Sequence, residues 1–279
     1  MTASLSFDDE ILPPLTQIVM DNLRRFKEAG TPLVPGEDFA FLTRALSRAA
    51  ESKAQLSQDL WVLFELREKR RGWFVDFGAG DGETISNSWL LETQYGWRGV
   101  LAEPNPAFHA KLALRKAAVC TDCVTDRTGD NVVFNQTADP HFSTLDNYTA
   151  ADMHARARAS GQRTQARTIS LNDLLRRHRA PRLIDYLSMD TEGSELMILE
   201  AFDFSRWTFA TITVEHNFGP TRDRIRTLLE SHGYRRKFEP LTRFDDWYVN
   251  DEALARLRPR GRASARGQAI SVTNLSSAE

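Results

Sequence analysis

Glycines at 78, 80 and 82 alternate with acids in the stretch Asp76-Phe77-Gly78-Ala79-Gly80-Asp81-Gly82-Glu83. Glycine lets the backbone turn sharply and lets a ligand approach without meeting a Cβ. Such a loop cradles a nucleotide cofactor or is a plain structural turn, and the acids separate the candidates. A dinucleotide loop offers bare N–H groups to a pyrophosphate at the N-terminus of the next helix. Carboxylates at Asp76, Asp81 and Glu83 would repel that pyrophosphate. They suit a phosphate-free ligand with a cationic amino acid portion, and S-adenosylmethionine, with its ammonium and sulfonium, is one. Glu103 follows in Leu101-Ala102-Glu103-Pro104-Asn105-Pro106, where an acid accepts hydrogen bonds from both ribose hydroxyls of a nicotinamide or methyl-donor cofactor. Asp122 and Cys123 close the next apolar segment, where a carboxylate takes the adenine amino group and a backbone N–H its ring nitrogen. The candidate cofactor residues are Asp76, Gly78, Gly80, Asp81, Glu103, Asn105, Asp122 and Cys123.

Those residues need elements to position them. Residues 1–71 carry helical spacing, as in Leu60, Trp61, Phe64 and Leu66, interrupted by Pro13-Pro14, Thr31-Pro32 and Pro35-Gly36. From Gly72 short apolar strands alternate with helices. The strands are Trp73–Phe77, Gly99–Ala102, Ala118–Val124, Asn131–Asn135, Leu183–Met189, Ala210–Val214, Tyr234–Phe238 and Trp247–Val249. Helices are expected over Pro106–Lys116, Ser170–His178, Glu192–Ala201 and Arg222–His232. This alternation predicts an α/β, doubly wound, mostly parallel sheet with helices on both faces over residues 72–250. Ligands of such sheets bind beyond the carboxyl ends of the strands, where strand order reverses. The polar stretch 139–167 reads as an inserted lid or acceptor segment, and 251–279, Arg/Gly/Ser-rich, as a disordered tail.

Composition narrows the classes further. The chain has 279 residues, 41% hydrophobic and 27% charged, which excludes wholesale disorder, a collagen-like repeat and a coiled coil. A net charge of −2 provides no field for nucleic acid or an anionic membrane. No apolar run approaches the roughly 20 residues of a membrane span, and the acidic N-terminus lacks a secretory pattern. A cytoplasmic globular protein is the expectation. Cys120 and Cys123 form a lone C-x-x-C without partners for a structural zinc site and read as small residues of a buried strand.

At this point the chain resembles the FkbM family of S-adenosylmethionine-dependent methyltransferases. The likeness rests on Ser57-Gln58-Asp59-Leu60, the glycine loop and Gly96-Trp97-Arg98-Gly99-Val100-Leu101-Ala102-Glu103-Pro104-Asn105-Pro106. It continues through Thr168-Ile169-Ser170-Leu171-Asn172-Asp173-Leu174 and Ile184-Asp185-Tyr186-Leu187-Ser188-Met189-Asp190-Thr191-Glu192-Gly193-Ser194-Glu195 to Val214-Glu215-His216. The resemblance implies the class I methyltransferase, Rossmann-like sheet of about seven strands. It also implies O-methylation of a hydroxyl on a small natural product or saccharide.

Methyl transfer from a sulfonium is an in-line displacement that aligns acceptor, methyl and sulfur and removes the acceptor proton. The strand ends Asp190-Thr191-Glu192-Gly193-Ser194-Glu195 and Glu215-His216-Asn217 should lie side by side at that point. The D-x-E-x-x-E spacing is similar to the D-x-D-x-x-E of metal-dependent methyltransferases acting on macrolide sugars. By that likeness Asp190, Glu215 and His216 hold a divalent cation, magnesium or manganese. Without a metal, His216 is the base, oriented by Asp190 or Glu215. Glu192 and Glu195 also suit a helix start as plain first-turn acids. His141 is placed in the acceptor pocket, and the N-terminal helices form an acceptor lid or contacts between copies of the chain. The rival readings are N-methylation, a nicotinamide oxidoreductase and a non-catalytic binding module of the same fold.

Overall fold

A computed structural model describes residues 36–137, 143–146, 159–239 and 241–259. The chain divides between Leu46 and Ser47 into two units. In the first, α1 (Glu37–Leu46) places Glu37 and Asp38 in its first turn and Arg44 in its last, each at the helix pole that suits its charge. The division lies N-terminal to the boundary expected at residue 71, because the segment after Ser47 is part of the sheet unit. There α2 (Gln58–Glu65) is buried along almost its whole length, and Trp61 stacks on Trp247 with ring centroids 4.9 Å apart.

The second unit then runs β1 (Trp73–Phe77), α3 (Trp89–Thr93), β2 (Arg98–Ala102), α4 (Pro106–Leu112), β3 (Ala118–Cys120) and β4 (Cys123–Thr125). Next come β5 (Asn131–Gln136), β6 (Thr144–Leu145), β7 (Gln162–Ser170), α5 (Leu171–Arg177), β8 (Leu183–Met189) and α6 (Glu195–Glu200). It closes with β9 (Thr208–Glu215), α7 (Arg222–Ser231), β10 (Tyr234–Lys237), β11 (Asp245–Asn250) and α8 (Asp251–Leu257). Seven strands form one sheet in the order β10-β11-β9-β8-β1-β2-β3, parallel except for β11, which runs against both its neighbours. This is the expected sheet. Its inner strands read as near-continuous apolar runs because both faces are covered by helices. Strand order reverses between β1 and β8, so their carboxyl ends open the crevice where a ligand fits.

Three local expectations change. The single strand expected over Ala118–Val124 breaks at Thr121-Asp122, so that β3 extends the large sheet while β4 pairs with β7 in a second one. That second sheet, ordered β4-β7-β5-β6, takes in Thr144–Leu145 and the first residues of β7 from the stretch expected as a lid, whose residues 139–142 and 147–158 lie outside the described residues. In β7 only the last residues are buried, so its outer half carries the polar side chains that hide a strand from a hydrophobicity reading. Third, Asp251–Leu257 is helical where a tail was expected, capped by Asn250, whose side chain accepts the Ala253 N–H at 3.0 Å. No helix among the described residues is long and apolar enough to cross a membrane.

At the opposite end of the strands from the crevice, Asp185 of β8 is buried and accepts the Trp73 N–H at 2.9 Å and the Lys69 ammonium. Burial pushes its carboxyl up, and Lys69 pulls it back down. Removing one partner of a buried pair leaves an uncompensated charge. Lys69→Met is therefore expected to lower unfolding stability by about 3 kcal/mol, read as a lower urea midpoint at unchanged slope. A variant matching the parent would show the pair to be dispensable.

Candidate functional site

Asp76, on β1, points into the crevice, and β1 then ends at Gly78, which has a φ of +77°. A Cβ there would stand 1.6 Å from the carbonyl oxygen of Asp190, the residue following β8. The Asp190 N–H in turn donates to the Phe77 carbonyl at 3.1 Å. The two central strand ends are thus pressed together by an absent side chain. Gly80 turns the loop onward, and its N–H donates to Glu103 Oε2 at 3.0 Å, while the Asn105 N–H donates to Oε1 at 2.7 Å. Burial pushes the Glu103 carboxyl up to about 7, against the pull of those two N–H groups. Asp76 is buried beside it and accepts the Ser88 hydroxyl at 2.5 Å, and burial raises its carboxyl as well.

A cavity of about 290 Å³ opens over these ends. Asp76, Gly78 to Gly80, Thr84 to Asn87, Glu103, Phe108 and Ser143 line it. So do Met189, Asp190, Glu192, Glu215, Asn217, Phe244, Asp245, Gln55 and Gln58. Carboxylate oxygens of Asp190, Glu192 and Glu215 lie within 4.8 Å of one another. Burial, then the nearby Asp190 and Glu192 charges, push the Glu215 carboxyl well above the usual carboxylate range, and it is hydrogen-bonded to Asp190. Asp245 faces the same space, opposite Glu215 in the β9–β11 register, and accepts the Gln58 amide at 2.8 Å. Burial pushes Asp245 up to about 7.

Glu192 has left-handed backbone, φ +60°, with its carbonyl held by the Thr144 hydroxyl at 3.0 Å and its Oε2 by the Asn217 amide at 3.3 Å. Glu195 is instead a clamp. It accepts the Thr191 N–H at 2.9 Å and the Gly193 N–H at 3.1 Å, closing the loop that carries Glu192.

Of the expected cofactor residues, Asp76, Gly78, Gly80 and Glu103 line the cavity. Asn105 caps α4, accepting the Ala107 N–H at 3.1 Å, and its amide donates to Ser143. Cys123 lines a small void beside Glu103, its thiol pushed up to about 12 by burial. Two expected residues turn elsewhere. Asp81 accepts the Glu83 and Thr84 N–H groups and Lys111, which outweigh its burial and hold it below the usual range. Asp122 pairs with Arg177 at 2.9 Å.

His216 departs from expectation as well. Successive strand residues face opposite sides, so with Glu215 in the cavity His216 points behind it. Its Nδ1 accepts the Phe218 N–H at 3.0 Å, and its Nε2 lies 3.7 Å from Asp246, which Arg222 grips at 2.7 Å. Burial, with Arg222, keeps the imidazole neutral, below the usual histidine range, against the pull of Asp246. Its place beside Asp190 and Glu215 is taken by Glu192, with Asp245 next to them. Glu192 stood in the same motif read as a helix start, and Asp245 stood two residues before the expected strand Trp247–Val249, which begins at Asp245 in the structure. His141 lies outside the described residues.

Comparison with known proteins agrees with this arrangement at the level of family. A model of the methyltransferase FkbM domain matches residues 76–236. No curated protein matches the chain. Among solved structures, a methyltransferase FkbM from Methylobacillus flagellatus KT is 13% identical, with a TM-score of 0.39, over 75% of this chain and 60% of its own. A methyltransferase from Geobacter sulfurreducens is 12% identical, TM-score 0.39, over 82% and 96%. A precorrin-6y C5,15-methyltransferase from Geobacter metallireducens GS-15 is 15% identical, TM-score 0.35, over 68% and 85%. These are distant likenesses and fix nothing about the substrate.

Gly78→Ala tests the contact between the strand ends. A Cβ 1.6 Å from the Asp190 carbonyl, on left-handed backbone, is expected to cost at least about 3 kcal/mol in urea unfolding. A loss below about 1 kcal/mol would mean that the two ends separate freely.

Proposed function

The chain belongs to the FkbM methyltransferase family, and from that premise we propose that it transfers the methyl group of S-adenosylmethionine to a hydroxyl of a small natural product or saccharide. The observation that carries this reading is a single cavity lined both by Glu103, steadied by two backbone N–H groups, and by the converging carboxyls of Asp190, Glu192 and Glu215. The glycine loop and Glu103 suit the cofactor. Left-handed Gly78 and Gly80 bring no side chain to the cavity wall, and Glu103 has lone pairs for a ribose diol. Asn87 Oδ1 is buried on the cavity wall with no hydrogen-bond partner among the described residues and fits a donor such as an ammonium or hydroxyl.

When bound, the cofactor supplies an activated methyl on a sulfonium. The chain's own residues do the remainder. Glu103 orients the ribose, the glycine loop admits the amino acid portion, and the Asp190 carboxylate, hydrogen-bonded to Glu215, takes the acceptor hydroxyl proton. A second reading adds a divalent cation, favoured by the spacing of Asp190, Glu192 and Glu215. It would bind the acceptor oxygen and ease loss of its proton. His216 has no part in that set.

Calorimetric titration with S-adenosylhomocysteine tests the cofactor. Glu103→Gln is expected to weaken binding roughly 10- to 100-fold, the size of a lost charge-assisted hydrogen bond of about 1.5–3 kcal/mol. With its carboxyl titrating at about 7, Glu103 is protonated below that pH and cannot accept both hydroxyls. Wild-type affinity should then fall as pH drops from 8 to 6, approaching about tenfold per unit, and the fall should shrink in Glu103→Gln. Equal affinity in both proteins would remove Glu103 from the site, and no affinity would remove the cofactor. For the cation, Mn²⁺ titrated into chelator-treated protein should give a binding heat that Glu192→Gln loses; no heat in the wild type would leave the metal-free reading.

A further inference from the structure

Asn87 lies in the loop between β1 and α3, and its side-chain amide is held from one end only. Nδ2 donates to the Ser188 hydroxyl at 3.0 Å. Oδ1 is buried on the cavity wall and meets no donor among the described residues. Which way an amide faces is settled by what its neighbours need. Ser188 is fully buried on β8, opposite Asp76 in the β1–β8 register. Its hydroxyl hydrogen-bonds Asp76 and Tyr186 and pulls both down against their burial. A hydrogen bond that pulls an acid down is one donated to its charged form. With its single proton committed there, the Ser188 oxygen is left to accept, so Nδ2 faces Ser188 and Oδ1 faces the cavity. A buried carbonyl oxygen left without a donor is costly, and it asks for a ligand or an ordered water.

The sheet order says which donor fits. Ser188 lies on β8, Asp76 on β1, Glu103 follows β2, and Cys123 comes after β3. Neighbouring strands are about 4.8 Å apart, so along the sheet Glu103 stands between the Asn87 amide and Cys123. In S-adenosylmethionine the ribose is likewise central, with adenine at one end and the amino acid portion at the other. With the ribose at Glu103, the two ends run in opposite directions. The void that Cys123 shares with Glu103 is walled by Ala102, Val124, Phe134 and Leu145, apolar surface that suits a flat base. The amino acid portion then runs toward β1 and β8. Its one hydrogen-bond donor is the ammonium, and its carboxylate, an acceptor like Oδ1, is turned away. Resting on S-adenosylmethionine as the cofactor, we propose that Asn87, its amide fixed by Ser188, receives the cofactor's ammonium on Oδ1 and so places the amino acid portion at the ends of β1 and β8.

An ammonium on a carbonyl oxygen is a charge-assisted hydrogen bond, and losing one weakens binding roughly 10- to 100-fold. The contact is specific to one group of the ligand. Neither the ribose nor the base gains from it, and that separates it from any general effect of Asn87 on the fold.

Calorimetry with three ligands provides the test. S-adenosylhomocysteine carries the whole amino acid portion, its deaminated analogue keeps the carboxylate and lacks the ammonium, and methylthioadenosine lacks the portion altogether. Asn87→Leu keeps the size of the side chain and removes the acceptor. In that variant S-adenosylhomocysteine should bind roughly 10- to 100-fold more weakly, while the other two ligands bind as they do to the parent. The loss of affinity on deamination should shrink by the same factor. Equal weakening of all three ligands overturns the proposal, because Asn87 would then act on the ribose or on the fold. An unchanged loss on deamination overturns it too, since the ammonium would be held elsewhere. Methylthioadenosine also reports that the variant is folded, and Asn87→Ala replaces Asn87→Leu if the latter is not. Deamination that leaves the parent's affinity unchanged overturns the proposal without any variant. If S-adenosylhomocysteine itself does not bind the parent, the cofactor reading fails and the proposal with it, an outcome distinct from a missing ammonium contact.

Discussion

The site depends on how closely β1 and β8 approach at their carboxyl ends. With hydrogen in place of a side chain at Gly78, the Asp190 carbonyl can occupy the space that a Cβ would need. Everything on the chemical face is indexed from that contact. Gly80 reaches Glu103 across the end of β2, and Asp190 starts the loop that carries Glu192. Glu195 closes that loop by accepting its N–H groups. Were the strand ends wider apart, Glu103 and the carboxyls of Asp190, Glu192 and Glu215 would no longer share one cavity.

Strand alternation then decides which of two adjacent polar residues does chemistry. In β9 and β11 the pairing sets Glu215 opposite Asp245. Both face the cavity, so their chain neighbours His216 and Asp246 meet on the other side, where Arg222 and Arg236 surround Asp246. The result is two electrostatically distinct layers one residue apart. The cavity layer gathers carboxyl groups and raises them. The layer behind is balanced by guanidinium groups and holds a neutral imidazole, whose Nδ1 fixes the turn at Asn217 and Phe218, both left-handed. That turn aims Asn217 at Glu192, so His216 serves the site through backbone geometry.

This explains what was legible in the sequence. Strand ends were readable because parallel strands buried on both faces are continuous apolar runs, and the residue after each run must lie at the crevice. Asp76, Glu103, Asp190 and Glu215 follow from that logic. The misplaced residues share a different cause. Asp81 and Asp122 stand at the right ends, but local partners, the Thr84 turn with Lys111 and the Arg177 guanidinium, capture them. His216 was misplaced by parity, because Glu215 and His216 are equally plausible until the end of β9 is fixed to the residue. Asp245 was hidden for the same reason, at the start of a strand whose pairing joins residues far apart in sequence. In β7 the exposed half carries no apolar period at all, so its place in a sheet shows only through β4 and β5.

The acid-rich cavity also has a thermodynamic consequence for the unliganded protein. Burial raises Glu103, Asp245 and Glu215 above their ordinary values, which means that folding works against ionisation at each of them. A group of this kind contributes stability that is fully present below its unfolded value and is lost as pH rises through its folded one. The empty cavity therefore weakens the fold toward alkaline pH and holds protons near neutrality. A cationic ligand reverses both effects, since it favours the ionised forms and releases those protons. A ligand that carries positive charge into the cavity would therefore gain from the same carboxyls whose ionisation folding opposes.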